Sequence, residues 1–580
     1  MKVSDYIAQF LSKITDTVFV GQGGNIIHVL DSLGKRKDIK VIPSQNEQAA
    51  SIAADAYSRI NGRIGVTAAT SGPGMINLMQ GIGCSFFDSI PTFHFSGAVV
   101  KNQLRKNKNI RQIGFQEMEV VDLVKPITKY AVLLKDKNKV RYELEKMLYY
   151  ATEGRQGPVL MDLPDDIQRS FINPKKLKKF RPPVKKINKI NFERKFLQMI
   201  SKAKKPLFVL GNGINLSNTK HYVKKIINKT GIPYAPSWAT VDLFNYDDKK
   251  NAGTFGVAAT RFGNFAIQNA DLIISLGCRL NTQITGSNIT AFAPNAKKIV
   301  IDIDKNEFLK KNGIKIDLKI NMDLKHFFKK ILPKIKIKKN YEKWIAHFQN
   351  WKEKYPIVEE NYYKESKNVN PYVFMLKLSE KTGKNDILIP DASANLIWAM
   401  QAFYLKGQRV FTALNHSPMG YSMPATIGAY MADKKNKNII CTIGDGSMQM
   451  NIQELATISH LKIPAKIFVL NNKGYGLIKQ TQDMWLNSRR VGVDSKSDLA
   501  MPDLIKISKA YGIETVEINN HNDLDYKIDH VLNSKKPVVC NINISENQNV
   551  VPKLQFGRPI HDLSPRLNSK EIEANINIKV

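Results

Sequence analysis

Short, uninterrupted apolar runs recur along the chain, each closing in glycine, proline, aspartate or asparagine. In the first 170 residues they read VFVG, IKVIPS, RIGVTAAT, PTFHFSG and GPVLMDLP, separated by helical stretches such as NEQAASIAADAYSRI. Runs without polar alternation are buried on both faces, and their alternation with helices predicts a parallel α/β sheet. The same grammar returns over 191–335 (PLFVLGNG, DLIISLG, KKIVIDID) and over 370–550 (ILIPDAS, RVFTAL, NIICTIGDG, AKIFVLNN, PVVCNINI). The pattern therefore predicts three consecutive α/β domains, each a doubly wound parallel sheet, at 1–170, 191–335 and 370–550. A basic, proline-bearing linker is expected at 171–190, a lysine-rich one at 336–369 and a tail at 551–580. Ligands of such sheets bind beyond the carboxyl ends of the strands, so the loops that follow the apolar runs are where chemistry is sought.

Length and composition narrow the classes. At 580 residues the chain exceeds what one hydrophobic core supports. Its 43% hydrophobic and 24% charged residues are ordinary for a globular protein and exclude wholesale disorder. No apolar run approaches the roughly 20 residues of a membrane span, and Asp5 interrupts the stretch a signal peptide would need. A cytoplasmic location with no membrane partner is expected. Cys84, Cys278, Cys441 and Cys540 are far apart, which favours small buried hydrophobes over a disulfide framework or a zinc site. The net charge of +36 is carried by scattered lysines, as in KKIINK and KIKIKK. It reads as a solvated surface and not as a nucleic-acid groove.

The candidate chemistry lies in the third block. The run NIICTI ends in Gly444-Asp445-Gly446-Ser447, and AKIFVL ends in Asn471-Asn472, with Asn472 placed 27 residues after Asp445. A carboxylate and an amide oxygen at neighbouring strand ends are hard ligands of the kind Mg²⁺ takes together with phosphate oxygens. Gly446 would let the backbone approach a phosphate, and a helix expected from about Asn451 would offer it free N–H groups. Alone, each motif is more often a plain turn; paired at this spacing they point to a metal–diphosphate site. The chain has no G-x-x-x-x-G-K-[ST], so a P-loop is excluded.

This combination resembles the thiamine diphosphate (ThDP) motif, and the wider chain is similar to the acetolactate synthase group of ThDP enzymes. The resemblance runs through IPSQNEQAASIAADAYSRI, TSGPGMIN, GFQE, GPVLMDLPDD, SPMGYSMPATIGA, GDGSMQMNIQEL and NNKGYG, in the family's order. It implies a first domain for the aminopyrimidine (PYR), a last domain for the diphosphate (PP) and an active site between subunits, hence a homodimer or homotetramer. It makes Glu47 the catalytic carboxylate that promotes the imino tautomer of the cofactor, and it places Pro73, Asn77, Phe115 and Gln116 on the aminopyrimidine and substrate side. Met419 matches the apolar wedge that bends the cofactor. Ser393, Ala394 and Asn395, with Gly444, Gly446 and Ser447, match the diphosphate loops. Asp445, the Asn472 side chain and the Gly474 carbonyl match the Mg²⁺ ligands. A non-redox FAD is implied in the central domain, where Arg279 aligns with a contact residue, although the turn GNGINL from Gly211 lacks the third glycine of a dinucleotide fingerprint.

Some positions depart from the family. Thr481 stands where branched-chain acetolactate synthases carry a tryptophan, Asp165 where a lysine is usual, and Gly21-Gln22 where tyrosine and proline are common. These departures, with HDLSPRL near the end, look closer to acetolactate-synthase-like proteins of surface-polysaccharide clusters. His28 and His416 border the cofactor loops as substrate-oxygen partners or as structural hydrogen-bonders. The function expected is a ThDP- and Mg²⁺-dependent carboligase: it decarboxylates a small-molecule 2-ketoacid, pyruvate, and transfers the two-carbon unit to a carbonyl acceptor such as a keto-sugar. The alternatives are an acetolactate synthase catalytic subunit and a non-catalytic anion-binding homologue.

Overall fold

A computed structural model describes residues 1–107, 109–184, 191–310, 313–336, 339–434 and 438–579. Among the described residues three large sheets form, each parallel throughout, as the buried apolar runs require, beside a two-stranded antiparallel pair (Lys553–Leu554 with Leu563–Ser564) in the tail. The first contains β1 (Thr17–Val20), β2 (Lys40–Pro43), β3 (Gly65–Ala69), β4 (Thr92–Ala98), β5 (Tyr130–Leu133) and β6 (Val159–Pro164), in the order β2-β1-β3-β4-β6-β5. The second contains β7 (Pro206–Leu210), β8 (Tyr234–Pro236), β9 (Leu272–Leu276), β10 (Lys297–Asp302) and β11 (Leu318–Asn321), in the order β11-β10-β9-β7-β8. The third contains β12 (Ile387–Pro390), β13 (Arg409–Val410), β14 (Ile439–Gly444), β15 (Ala465–Asn471), β16 (Glu514–Ile518) and β17 (Val538–Asn543), in the order β13-β12-β14-β15-β17-β16.

Each order reverses between its first strand and the neighbour that starts the other half, at β1/β3, β7/β9 and β12/β14, and the first and third sheets turn back again at their far edges, from β5 to β6 and from β16 to β17. At a reversal the two following helices leave on opposite faces and a crevice opens at the strand ends, which is where ligands of such sheets sit. The segments 21–25 and 70–75, 211–216 and 277–281, and 391–395 and 444–447 are those that line the three crevices.

The first and third domains pack closely. Ala50, Ala53, Ala54 and Tyr57 of the helix Glu47–Asn61 share a core with Met423 and Ile427 of the helix Ser422–Ala432. Alanine on the first of these faces lets the two backbones approach, and the buried area holds the domains together.

Two segments expected to be linkers or tail are packed parts of the fold. Within 336–369 the helix Glu342–Lys354 buries Trp344, Phe348 and Trp351 against the second domain. The tail returns to that domain: Asn264 Nδ2 donates to Ile560 O at 2.7 Å and Asn269 Nδ2 to Asn575 O at 2.7 Å. In the basic 171–190 stretch Ile172 and Leu177 bury themselves in the first core, and its residues 185–190 lie outside the described residues. All four cysteines are buried and free. Among the described residues no helix is long and apolar enough to cross a membrane.

Candidate functional site

In the first domain the site begins at a helix cap. Asn46 is extended and its side chain accepts from Gln48 N at 2.8 Å, which starts the helix Glu47–Asn61. Glu47 is thereby the first helical residue, where the helix dipole favours a carboxylate. Its Oε2 accepts from Asn77 Nδ2 at 3.0 Å, on the helix Pro73–Asp88 that starts at Pro73. Gln116 closes over the start of that helix, its Cβ lying 3.1 Å from the point where a Cβ on Gly72 would stand. The structure thus brings Glu47, Pro73, Asn77 and Gln116 together at the β1/β3 crevice. Phe115 points outward and is 82% exposed.

Gly21, read as a departure from the family, has a local reason. A Cβ there would lie 2.2 Å from Glu47 Cγ, so the missing side chain is the room that the Glu47 side chain occupies.

The third domain carries the residues expected to be oxygen ligands. Asp445 follows β14 directly and opens a short helix, Asp445–Gln449, while the helix expected from about Asn451 starts at Glu454. The Asp445 carboxylate is buried; Oδ1 accepts from Gly446 N at 2.8 Å and Oδ2 from Gly474 N at 3.0 Å. Burial pushes the carboxyl up to about 6, against the pull of those N–H groups and of Lys479. The bond to Gly474 holds the Asn472–Gly474 turn against Asp445. Lys479 closes the turn from behind, donating to Asn472 O at 3.1 Å and to Glu546 O at 3.2 Å.

Gly446 plays a different part from the one expected. What approaches it is Tyr475, whose Cε1 lies 2.3 Å from the point where a Cβ would stand. Asn395 also differs. Its Nδ2, the group that could donate to a phosphate, is spent on Thr442 O at 2.7 Å and Asp391 O at 3.3 Å, so it ties the ends of β12 and β14 together. Ser393 holds a positive φ of 66°, and Ala394 and Ser447 are buried beside it at the same strand ends.

Sequence reasoning passed over Asp391, the first residue of DASAN. It is fully buried; Oδ1 accepts from Gly420 N at 3.0 Å, and Oδ2 accepts from Ser422 N at 2.8 Å and Ser422 Oγ at 2.9 Å. It therefore anchors the loop that carries Met419. An aspartate closing an apolar run beside a serine-rich turn was the available signal.

Each of the two histidines has a partner within the chain. His28 Nε2 is 3.3 Å from Asp165 Oδ1, and His416 stacks on Phe87 with ring centres 5.4 Å apart. At the β7/β9 crevice Arg279 Nη1 donates to Phe87 O of the first domain at 2.8 Å. Gly211, Asn212, Trp238, Cys278, Arg279 and Asn281 line this crevice. Trp238 Nε1, Arg279 Nε and Asn281 Oδ1 are buried there without hydrogen-bond partners.

Among the described residues no group of three or more His, Cys, Asp or Glu could hold a metal. The donor set expected from Asp445, Asn472 and Gly474, one carboxylate, one amide oxygen and one carbonyl, would suit Mg²⁺ completed by phosphate oxygens and would not suit zinc.

Comparison with known proteins covers all three domains. Residues 1–123 match the thiamine pyrophosphate enzyme N-terminal TPP binding domain, 194–331 the central domain and 391–542 the C-terminal TPP binding domain. The acetolactate synthase large subunit of Cyanidium caldarium is 30% identical over 563 residues, covering 93% of this chain and 92% of its own. That of Lactococcus lactis subsp. lactis (strain IL1403) is 30% identical over 563 residues, 96% of this chain and 94% of its own. The mitochondrial acetolactate synthase catalytic subunit of Saccharomyces cerevisiae is 29% identical over 566 residues, 93% of this chain and 80% of its own.

Proposed function

This chain belongs to the acetolactate synthase family of thiamine pyrophosphate enzymes, and on that premise we propose that it is a ThDP- and Mg²⁺-dependent carboligase that decarboxylates pyruvate and passes the two-carbon unit to a second carbonyl compound. When bound, ThDP supplies the nucleophilic carbon to which the 2-ketoacid adds and that accepts the electron pair as CO₂ leaves. Glu47, at a helix start and held by Asn77, holds the proton relay at the aminopyrimidine end. Asp445, Asn472 and the Gly474 carbonyl would take the metal, and the Asp391-anchored loop would hold Met419 against the cofactor. The observation that carries this reading is the buried Asp445 carboxylate tied to Gly474 N, because it closes the two separated motifs into one oxygen-lined site.

The acceptor we favour is a second 2-ketoacid, giving acetolactate, as the names of the relatives suggest. A bulkier keto-sugar is the second reading. Thr481 favours it: its hydroxyl turns back to Leu477 O at 2.8 Å, so it leaves space where an aromatic ring would stand. The second crevice is read as an FAD site, for which the buried Trp238 Nε1 and Asn281 Oδ1, neither with a hydrogen-bond partner, offer a donor and an acceptor. The working unit is a homodimer or homotetramer. The exposure of Phe115 and Ile113 on the first domain (82 and 52%) and of Trp485 on the third (57%) supports a partner surface on both.

Calorimetry with ThDP and Mg²⁺ tests the premise, and no uptake would leave only an anion-binding homologue. Mass spectrometry of products from pyruvate alone and with keto-sugar acceptors separates the two acceptors. Flavin released on heating tests the FAD assignment, and sedimentation tests the assembly.

A further inference from the structure

Glu454 is a fully buried carboxylate in the third domain, at the start of the helix Glu454–His460. Its partners are unusual for such a group. Oε1 accepts the backbone N–H groups of Gln45 at 2.9 Å and Asn46 at 3.1 Å, both in the first domain and more than 400 residues away in sequence. Oε2 accepts from Thr457 Oγ1 at 2.8 Å. A buried carboxylate is costly unless its lone pairs are filled, and charge-assisted bonds to backbone N–H groups are the stronger kind. The grip on Gln45 and Asn46 is therefore firm.

Those two residues bridge β2 to the helix that begins with Glu47. Asn46 is held twice, by its own cap to Gln48 N and by Glu454. Glu454 is in turn linked to the cofactor loops: its N–H donates to Asn451 O at 3.0 Å, and Asn451 Nδ2 donates to Gly420 O at 2.9 Å, next to Met419. One chain of hydrogen bonds thus runs from the Met419 loop through Asn451 and Glu454 to the backbone from which the Glu47 side chain departs.

We propose that Glu454 is a positioning residue for Glu47: it fixes the backbone on which the catalytic carboxylate is mounted, and so governs proton removal at the cofactor and not cofactor affinity. The inference rests on the reading of Glu47 as the catalytic carboxylate. Misplacing a catalytic group by about 1 Å costs on the order of 10²-fold in rate, whereas the diphosphate and metal ligands at Asp445 and Asn472 lie outside this contact.

The test uses the full-length enzyme with ThDP and Mg²⁺. Glu454→Gln keeps the shape and one acceptor oxygen and removes the charge. It is compared with Glu47→Gln and the parent by deuterium exchange at the cofactor C2, by kcat and KM, and by calorimetric affinity for ThDP. The expected result is a parallel loss of about 10- to 100-fold in exchange rate and kcat, with ThDP affinity within about threefold. Thr457→Val, which frees one carboxylate oxygen, gives a smaller loss in the same direction and serves if Glu454→Gln fails to fold. Unchanged exchange in a folded Glu454 variant, or a loss of affinity that matches the loss of rate, overturns the proposal. Unchanged exchange in Glu47→Gln overturns instead the reading of Glu47 itself.

Discussion

Arg59 and Asp88 meet in the dry seam between the first and third domains, Nη2 to Oδ2 at 2.9 Å, with side chains only 6% and 3% exposed. Arg59 also binds Asp55 at 2.6 Å and Thr412 O at 3.0 Å. Asp88 in addition accepts from the N–H groups of Leu414 at 2.9 Å and Asn415 at 3.2 Å. One carboxylate therefore ties the end of the helix Pro73–Asp88 to the strand-end loop leading to Met419. Asp88→Ala leaves Arg59 its partner Asp55 but removes the second carboxylate and the acceptor of two buried N–H groups, and leaving such groups unsatisfied costs about 1–3 kcal/mol each. Denaturant unfolding of the variant reads this loss directly; a shift below about 1 kcal/mol would mean that water replaces the carboxylate at little cost.

Gly21→Ala probes the space around Glu47. The new methyl would stand 2.2 Å from Glu47 Cγ, so the glutamate must leave its place. The outcome expected is a fall in kcat on the order of 10²-fold with the melting temperature little changed. A variant as active as the parent would show that the observed Glu47 position is not the working one.

Asp445→Ala removes the charged ligand. A lost hydrogen bond or contact to a charged group is worth about 1.5–3 kcal/mol, which is about 10- to 150-fold weaker uptake of ThDP with Mg²⁺. Stripping divalent ions from the parent with a chelator should produce a loss of the same kind, without unfolding, in the same calorimetric titration.

Asp162 makes the stability of the first domain depend on pH. Burial pushes its carboxyl up to about 7, despite the bond from Ser96 Oγ at 2.6 Å, while an unfolded chain titrates it near 3.9. The native chain therefore holds a proton there that the unfolded chain releases. This contribution is complete below about pH 4 and is lost as the pH rises through about 7. Asp162→Asn has no proton to lose, so its melting temperature should gain on that of the parent between about pH 4.5 and about pH 8. Each tenfold difference in proton affinity between the folded and unfolded chain is worth about 1.4 kcal/mol, so the gain amounts to about 2–4 kcal/mol. Parallel melting curves for the two proteins across that range would contradict the assignment.

Much of this was legible in the order of residues. Apolar runs without alternation announce buried parallel strands, and the glycines, aspartates and asparagines that close them mark where the loops turn. Asp445 and Asn472 could be paired from spacing because both strands end at one edge of one sheet. The helix within 336–369 also left a signal, masked by the lysines around it: Trp344, Phe348 and Trp351 recur at four- and three-residue steps.

What the sequence by itself determined is local: which runs are buried strands, where they stop, and which stops carry acid and amide side chains or a helix cap beside Glu47. Only the tertiary structure decided which side chains meet. Glu454 grips Asn46, Asp391 anchors Gly420 and Ser422, and Arg59 finds Asp88, while Asn395 turns inward to the strand ends. The physical reason is that periodicity reports that a face is buried and never against what. A buried charge takes whichever donors packing brings within about 3 Å, and those donors come from segments whose spacing along the chain carries no trace of the contact.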